Sequence, residues 1–215
     1  MRDAAQQVSE DLGYCVNFTT YQDGSNQPFI SIQPTGTGTQ IDICTTFYGY
    51  AKKGGTQGQV MVMFGGAPGG CLDNKRDAMR LWSNSLGLLN EYLRSDRDPI
   101  MTFASNRNSL VATNLQKYDL FNDVKKLNAT TAMLIPPNGV YQSIFDLNSI
   151  TMITGDRFAA SSSQPVFTIT GGNSVGQNAR LSENDCRALK ILYGCSEPGY
   201  GPTPFCSSRN ITLII

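Results

Sequence analysis

Six cysteines in a chain of 215 residues constrain this fold more than any single hydrophobic pattern does. The even number, with no C-x-x-C pair, suits up to three disulfides made in an oxidising compartment. The chain has no histidine, which argues against a zinc knuckle. Spacing alone leaves fifteen pairings of Cys15, Cys44, Cys71, Cys186, Cys195 and Cys206 open. Three N-x-T sequons, at Asn17, Asn128 and Asn210, agree with a secreted glycoprotein.

The length suits one domain, or two lobes that share a cleft, and a hydrophobic fraction of 40% is enough for a core. Net charge is zero, and Lys52-Lys53 and Lys125-Lys126 are isolated pairs. Neither nucleic acid nor an anionic membrane is therefore an expected partner. No stretch approaches the roughly 20 apolar residues of a membrane helix, and the closing Thr212-Leu213-Ile214-Ile215 is too short to insert. Residues 2–12 read as a polar helix rather than a signal peptide, as expected of a mature or trimmed chain.

Periodicity gives the elements. Ala4, Val8 and Leu12 share one face of an opening helix over 3–12. Short strands are expected at Val16–Tyr21, Phe29–Gln33, Gln40–Thr45 and Gln59–Phe64, the last apolar on both faces and so doubly buried. Gly65 to Gly70 reads as a plain turn, since it lacks the G-K-[ST] ending of a phosphate loop. A helix starts after Cys71 with Asp73 or Asn74 as N-cap and ends near Gly87. Another is expected near 115–127. The last runs from Ser182 to Tyr193, with Ser182 and Asp185 as a capping box and Cys186, Leu189 and Tyr193 on one face.

Residues 80–98 read R-L-W-S-N-S-L-G-L-L-N-E-Y-L-R-S-D-R-D. This run resembles the metzincin zinc-peptidase helix H-E-x-x-H-x-x-G-x-x-H, and Glu91 with Arg94-Ser95-Asp96-Arg97-Asp98 resembles its continuation in the astacin family. Tyr141-Gln142-Ser143-Ile144-Phe145-Asp146-Leu147 is similar to the astacin Met-turn. Cys15-Val16-Asn17-Phe18, Gly70-Cys71-Leu72, Phe167-Thr168-Ile169, Gly176-Gln177, Leu181-Ser182 with Asp185, and Leu192-Tyr193-Gly194-Cys195 resemble further family segments in the family order. The likeness runs from about residue 3 to 195.

The resemblance implies an α+β, two-lobed, metzincin/astacin-like fold. Its upper lobe, about 1–87, would hold a twisted mixed sheet and helices. Its lower lobe, about 88–195, would be largely irregular with a C-terminal helix, and 196–215 would be a tethered tail. It also implies Cys15–Cys195 and Cys44–Cys71, which leaves Cys186 for Cys206. Anchored on Gly87, it puts Arg80, Asn84 and Asn90 at the three zinc-ligand positions and Leu81 at the general-base position. Phe145 stands where the Met under the metal belongs, and Leu147 where a tyrosine does.

An arginine repels a cation and an amide is a poor zinc ligand, so no metal or other cofactor and no catalytic residue is expected. Arg80 either fills the place of the metal by pairing with Asp146 or points to solvent along the cleft. Leu81, Phe145 and Leu147 are expected to pack the emptied site rather than line an apolar groove. Glu91 and the 94–98 charges are expected to be structural, as a local ion-pair network. No other nucleophile has a histidine base to activate it. The expected function is binding of an extracellular protein or peptide through the degenerate cleft, with Arg80, Asn84, Asn90 and Asp146 as contact candidates, or through its surrounding loops. The alternatives are a purely structural or accessory extracellular role, and a residual zinc-independent hydrolase.

Overall fold

The computed structural model describes residues 1–22, 29–35, 44–49, 59–64, 71–72, 74–104, 145–157, 159, 161 and 163–195. The helix expected near 115–127, the turn at 65–70, Tyr141 to Ile144, Asn128, Asn210, Cys206 and the tail lie outside them, as do residues 40–43 of one expected strand.

Helix α1 (Arg2–Asp11) buries Ala4, Ala5 and Val8, with Leu12 at its end, and lies against helix α2 (Lys75–Ser85). Asn74 is the N-cap of α2, its side chain accepting from the Arg76 amide at 3.0 Å. Such a cap is worth about 1 kcal/mol. From Asp77 to Ser85 every residue of α2 is buried, polar ones included. Beside the helices lies a three-stranded sheet in the order β1–β3–β2. Strand β1 (Ile30–Thr35) runs parallel to β3 (Gln59–Phe64), and the short β2 (Thr45–Thr46) runs antiparallel to it.

Two strand expectations are corrected. Met61 and Met63 of β3 join one core cluster with Val8, Met79 and Trp82, but Val60 and Val62 are only half-buried. The sheet is thus sealed on one face and partly covered on the other, despite the apolar residues on both. Residues 16–21 join no ladder among the described residues. Aromatic packing holds that segment instead: Phe18 lies 4.5 Å from the Trp82 ring, and Tyr21 lies 4.1 Å from Phe29.

Further on, β4 (Met101–Phe103) and β5 (Phe167–Ile169) form an antiparallel pair. Helix α3 (Glu183–Leu192) carries the full capping box between Ser182 and Asp185 and buries Cys186 and Leu189. Disulfides join Cys15 to Cys195 and Cys44 to Cys71. Next to the first of these, the fully buried Asp11 carboxylate accepts the Leu181 amide at 2.9 Å and Arg180 Nε at 2.5 Å. The two ends of the described chain are therefore fastened by a covalent and an ionic tie.

Candidate functional site

Helix α2 places Arg80 and Asn84 one turn apart, on one face. After Ser85 the chain reverses through Gly87, whose φ of +114° lies in the region that disfavours side chains. A Cβ there would come within 2.8 Å of the end of the Leu192 side chain of α3, which is half-exposed and could shift, so it is the backbone angle that calls for glycine. The reversal brings Asn90 back onto the helix. Asn84 Nδ2 donates to Asn90 Oδ1 at 3.2 Å and to the Leu88 carbonyl at 2.7 Å, and Asn90 Nδ2 donates to the Tyr48 hydroxyl at 2.9 Å. The structure thus assembles the second and third aligned positions into a clasp of amides.

The first position behaves differently. Arg80 Nε lies 3.7 Å from Asp77 Oδ1, one turn back on the same helix, and Arg157 Nη2 reaches the other Asp77 oxygen at 2.5 Å. The expected pairing with Asp146 does not form. Asp146 is occupied by the Ser182 hydroxyl at 2.5 Å and the Asn148 amide at 2.9 Å. Asp77 lies on α2 itself, so this contact requires no loop to close. The solvent-facing alternative fails too, since Arg80 is 2% exposed.

Asn84 and Asn90 are 2% and 1% exposed, and Leu81 and Phe145 are in the core, with Leu147 half-buried against it. The four contact candidates Arg80, Asn84, Asn90 and Asp146 are therefore all buried, and of them only Asn84 and Asn90 are bonded to each other. Zinc needs lone-pair donors about 2 Å away. A guanidinium has none, and the amides of Asn84 and Asn90 are engaged with each other and with Tyr48. No group of three metal-binding side chains occurs among the described residues. Arg80, Asn84 and Asn90, as they stand among the described residues, do not fit zinc.

Next to Asn90, Glu91 accepts the Asp146 amide at 2.7 Å and Arg94 Nη1 at 3.0 Å, while its own amide donates to Thr151 Oγ1 at 3.1 Å. Burial pushes its carboxyl up to about 7, against the pull of the Asp146 amide and Arg94 and with the help of the Asp146 and Asp185 charges. Arg94 also grips both oxygens of Asp96, at 2.9 and 2.8 Å, and sits over the Phe145 ring. Burial acts against the Arg94 charge, but Asp96 and Glu91 outweigh it and hold its pKa above the ordinary value. Arg97 donates to the Tyr92 carbonyl and lies over the Phe103 ring. The 94–98 charges thus form a largely local network.

Sequence reasoning missed the rim. Phe47 and Tyr48 are 60% and 42% exposed beside Gly49, which approaches Gly87; across that turn Leu192 is 49% exposed. The adjacent aromatics Phe47 and Tyr48, followed by Gly49 and close to Cys44, were the available signal. Asp77 and Asp185 were missed as buried anchors, since one looks like an ordinary helix acid and the other only like a cap. A separate groove of about 370 Å³, beside β5 and lined by Thr154, Asp156, Thr168 and Asn173, contains none of the candidate residues.

The sequence matches no protein-family model and no curated protein. Its structure does match solved ones. High choriolytic enzyme 1, a hatching enzyme zinc-protease from the medaka fish Oryzias latipes, superposes with a TM-score of 0.62 at 19% identity, over 90% of this chain and 80% of its own. Myroilysin superposes with a TM-score of 0.50 at 16% identity, over 89% and 85%. The chain therefore has an α+β, astacin/metzincin-like fold.

Proposed function

We propose that this chain is a secreted, non-catalytic pseudoprotease on an astacin-like fold, acting by binding an extracellular protein or peptide through the loops at the rim of its degenerate cleft. The observation that carries this reading is the Asn84–Asn90–Tyr48 clasp: the resemblance puts Asn84 and Asn90 at zinc-ligand positions, and there the two amides, poor zinc ligands, are bonded to each other and to a hydroxyl. By the same resemblance a hydrocarbon, Leu81, falls at the general-base position. The rim supports the binding half: Phe47 and Tyr48 are large, exposed and anchored from below, as contact residues at interfaces tend to be. The two disulfides among the described residues, which also hold no helix long and apolar enough to cross a membrane, agree with an extracellular setting. The sequons at Asn17, Asn128 and Asn210 make it a candidate glycoprotein; Asn17 is exposed.

The test has two arms. The folded protein is incubated with a broad peptide library and excess zinc, and cleavage is read by mass spectrometry; turnover would overturn the reading. The same protein and its Phe47→Ser/Tyr48→Ser variant are then panned against displayed extracellular peptides. Sequences retained by the wild type and lost by the variant support rim binding. Equal retention by both would move recognition elsewhere, and no retention would favour an accessory role.

A further inference from the structure

Three carboxyl groups converge where the residue 90–91 turn, the 145–151 turn and the start of α3 meet. Glu91 Oε1 accepts the Asp146 amide at 2.7 Å, and Asp146 Oδ2 accepts the Ser182 hydroxyl at 2.5 Å. The Ser182 amide donates to Asp185 Oδ2 at 3.0 Å, and Asp185 Oδ1 accepts the Ser149 hydroxyl at 2.7 Å. The Ser149 and Thr151 hydroxyls are 2.8 Å apart, and Thr151 Oγ1 accepts the Glu91 amide at 3.1 Å. These contacts close on themselves as a ring. The Ile150 amide adds a further bond to Asp185 at 2.6 Å.

Positive charge around the ring is sparse. Arg94 reaches Glu91 but is shared with Asp96. From α2, Arg76 donates to the Ser149 and Met152 carbonyls and acts on Asp185 only through its field. Neither Asp146 nor Asp185 has an ion-pair partner among the described residues. Burial with one directly bonded guanidinium in the whole ring works against the ionised forms of Glu91 and Asp185.

We propose that this ring is a proton-operated clamp: it takes up protons as its surroundings acidify and so tightens the junction that carries Asn90 and, through it, Tyr48. The hydroxyls allow this without breaking the ring. When Asp185 is ionised, Ser149 donates to it. When Asp185 is protonated on Oδ1, that proton is donated to Ser149 Oγ, and the Ser149 proton turns to Thr151 Oγ1. Glu91 keeps Arg94 and the Asp146 amide on Oε1, leaving Oε2 for the proton. Burial lifts Glu91 to about 7 and Asp185 to about 6, against the donors that favour their ionised forms. In the unfolded chain both ionise near pH 4, roughly. Between that value and about pH 7 the folded chain therefore binds more protons, and its stability rises as pH falls.

The test is the thermal unfolding midpoint of the wild type, Glu91→Gln and Asp185→Asn from about pH 8 to about pH 5.5. Both amides keep an oxygen for the backbone donors and mimic the protonated state. The wild-type midpoint is expected to rise by several degrees on acidification, with Glu91→Gln flattening the upper part of the rise and Asp185→Asn the lower. Carbon-13 NMR of the folded wild type gives a readout independent of the variants: the Glu91 and Asp185 carboxyl resonances should titrate well above the positions of free side chains. A flat or falling wild-type midpoint, or carboxyls that titrate at ordinary values, would overturn the clamp. Neither readout involves peptide binding, so the clamp and the rim function fail or survive separately.

Discussion

Asn84 and Asn90, six residues apart, meet at 3.2 Å across the Gly87 turn, and the second of them holds the hydroxyl of Tyr48. The turn gathers amides and a phenol hydroxyl. The clasp should contribute to stability on its own. Asn84→Ala and Asn90→Ala are each expected to cost about 1–3 kcal/mol, because each leaves a buried polar partner exposed to no water. The double variant should cost less than their sum. Urea unfolding of the four proteins checks this; strict additivity would show that the two amides are not coupled.

The same reasoning redirects Arg80. In a double-mutant cycle, Arg80→Ala and Asp77→Ala should couple by about 1 kcal/mol or more, while Arg80→Ala and Asp146→Ala should add independently. Coupling to Asp146 instead would restore the pairing that the burial and contacts of Asp146 argue against.

Asp11 is the most deeply buried acid with an arginine partner, Arg180, which is itself 30% exposed. Asp11→Ala is expected to cost about 3 kcal/mol, the order found when one member of a buried pair is removed. Leu181 loses its amide acceptor in the same step. Equilibrium unfolding in urea measures the loss; a change under about 0.5 kcal/mol would mark the tie as incidental.

Local rules recovered much of this fold. The Asn74 cap, the Ser182–Asp185 box, the buried face of α1 and the extent of β3 depend on neighbours in sequence, and all are found. What was not legible depends on distant partners. Residues 16–21 have the composition of a strand, yet Phe18 is claimed by Trp82 of α2. The alternating Val and Met of β3 do not say how many layers cover the sheet. Arg80 carries no sign of choosing Asp77 over Asp146, because both acids are plausible until the loops are placed. The rim residues Phe47 and Tyr48 were overlooked because exposure is not a property of the residue type.

Asp96 gives the acid limb of the pH profile, opposite in sign to Glu91 and Asp185. Its hydrogen bonds with Arg94 hold its carboxyl below the usual value, against a smaller effect of burial. Its stabilisation is present above the unfolded value, roughly pH 4, and is lost as pH falls through the lower folded value. Stability should therefore peak in mildly acidic solution. Asp96→Asn is expected to soften the loss at low pH without altering the rise between neutral and mildly acidic pH; thermal scans over both ranges separate the two.

The central claim is that an astacin-like fold stands here without a metal site. Its most direct test is zinc content: the folded protein is equilibrated with excess zinc, freed of unbound ion and weighed by native mass spectrometry. The account predicts the mass of the metal-free chain and an unfolding midpoint that does not respond to zinc or to chelator. One zinc retained per chain, with a midpoint that falls on chelation, would contradict it.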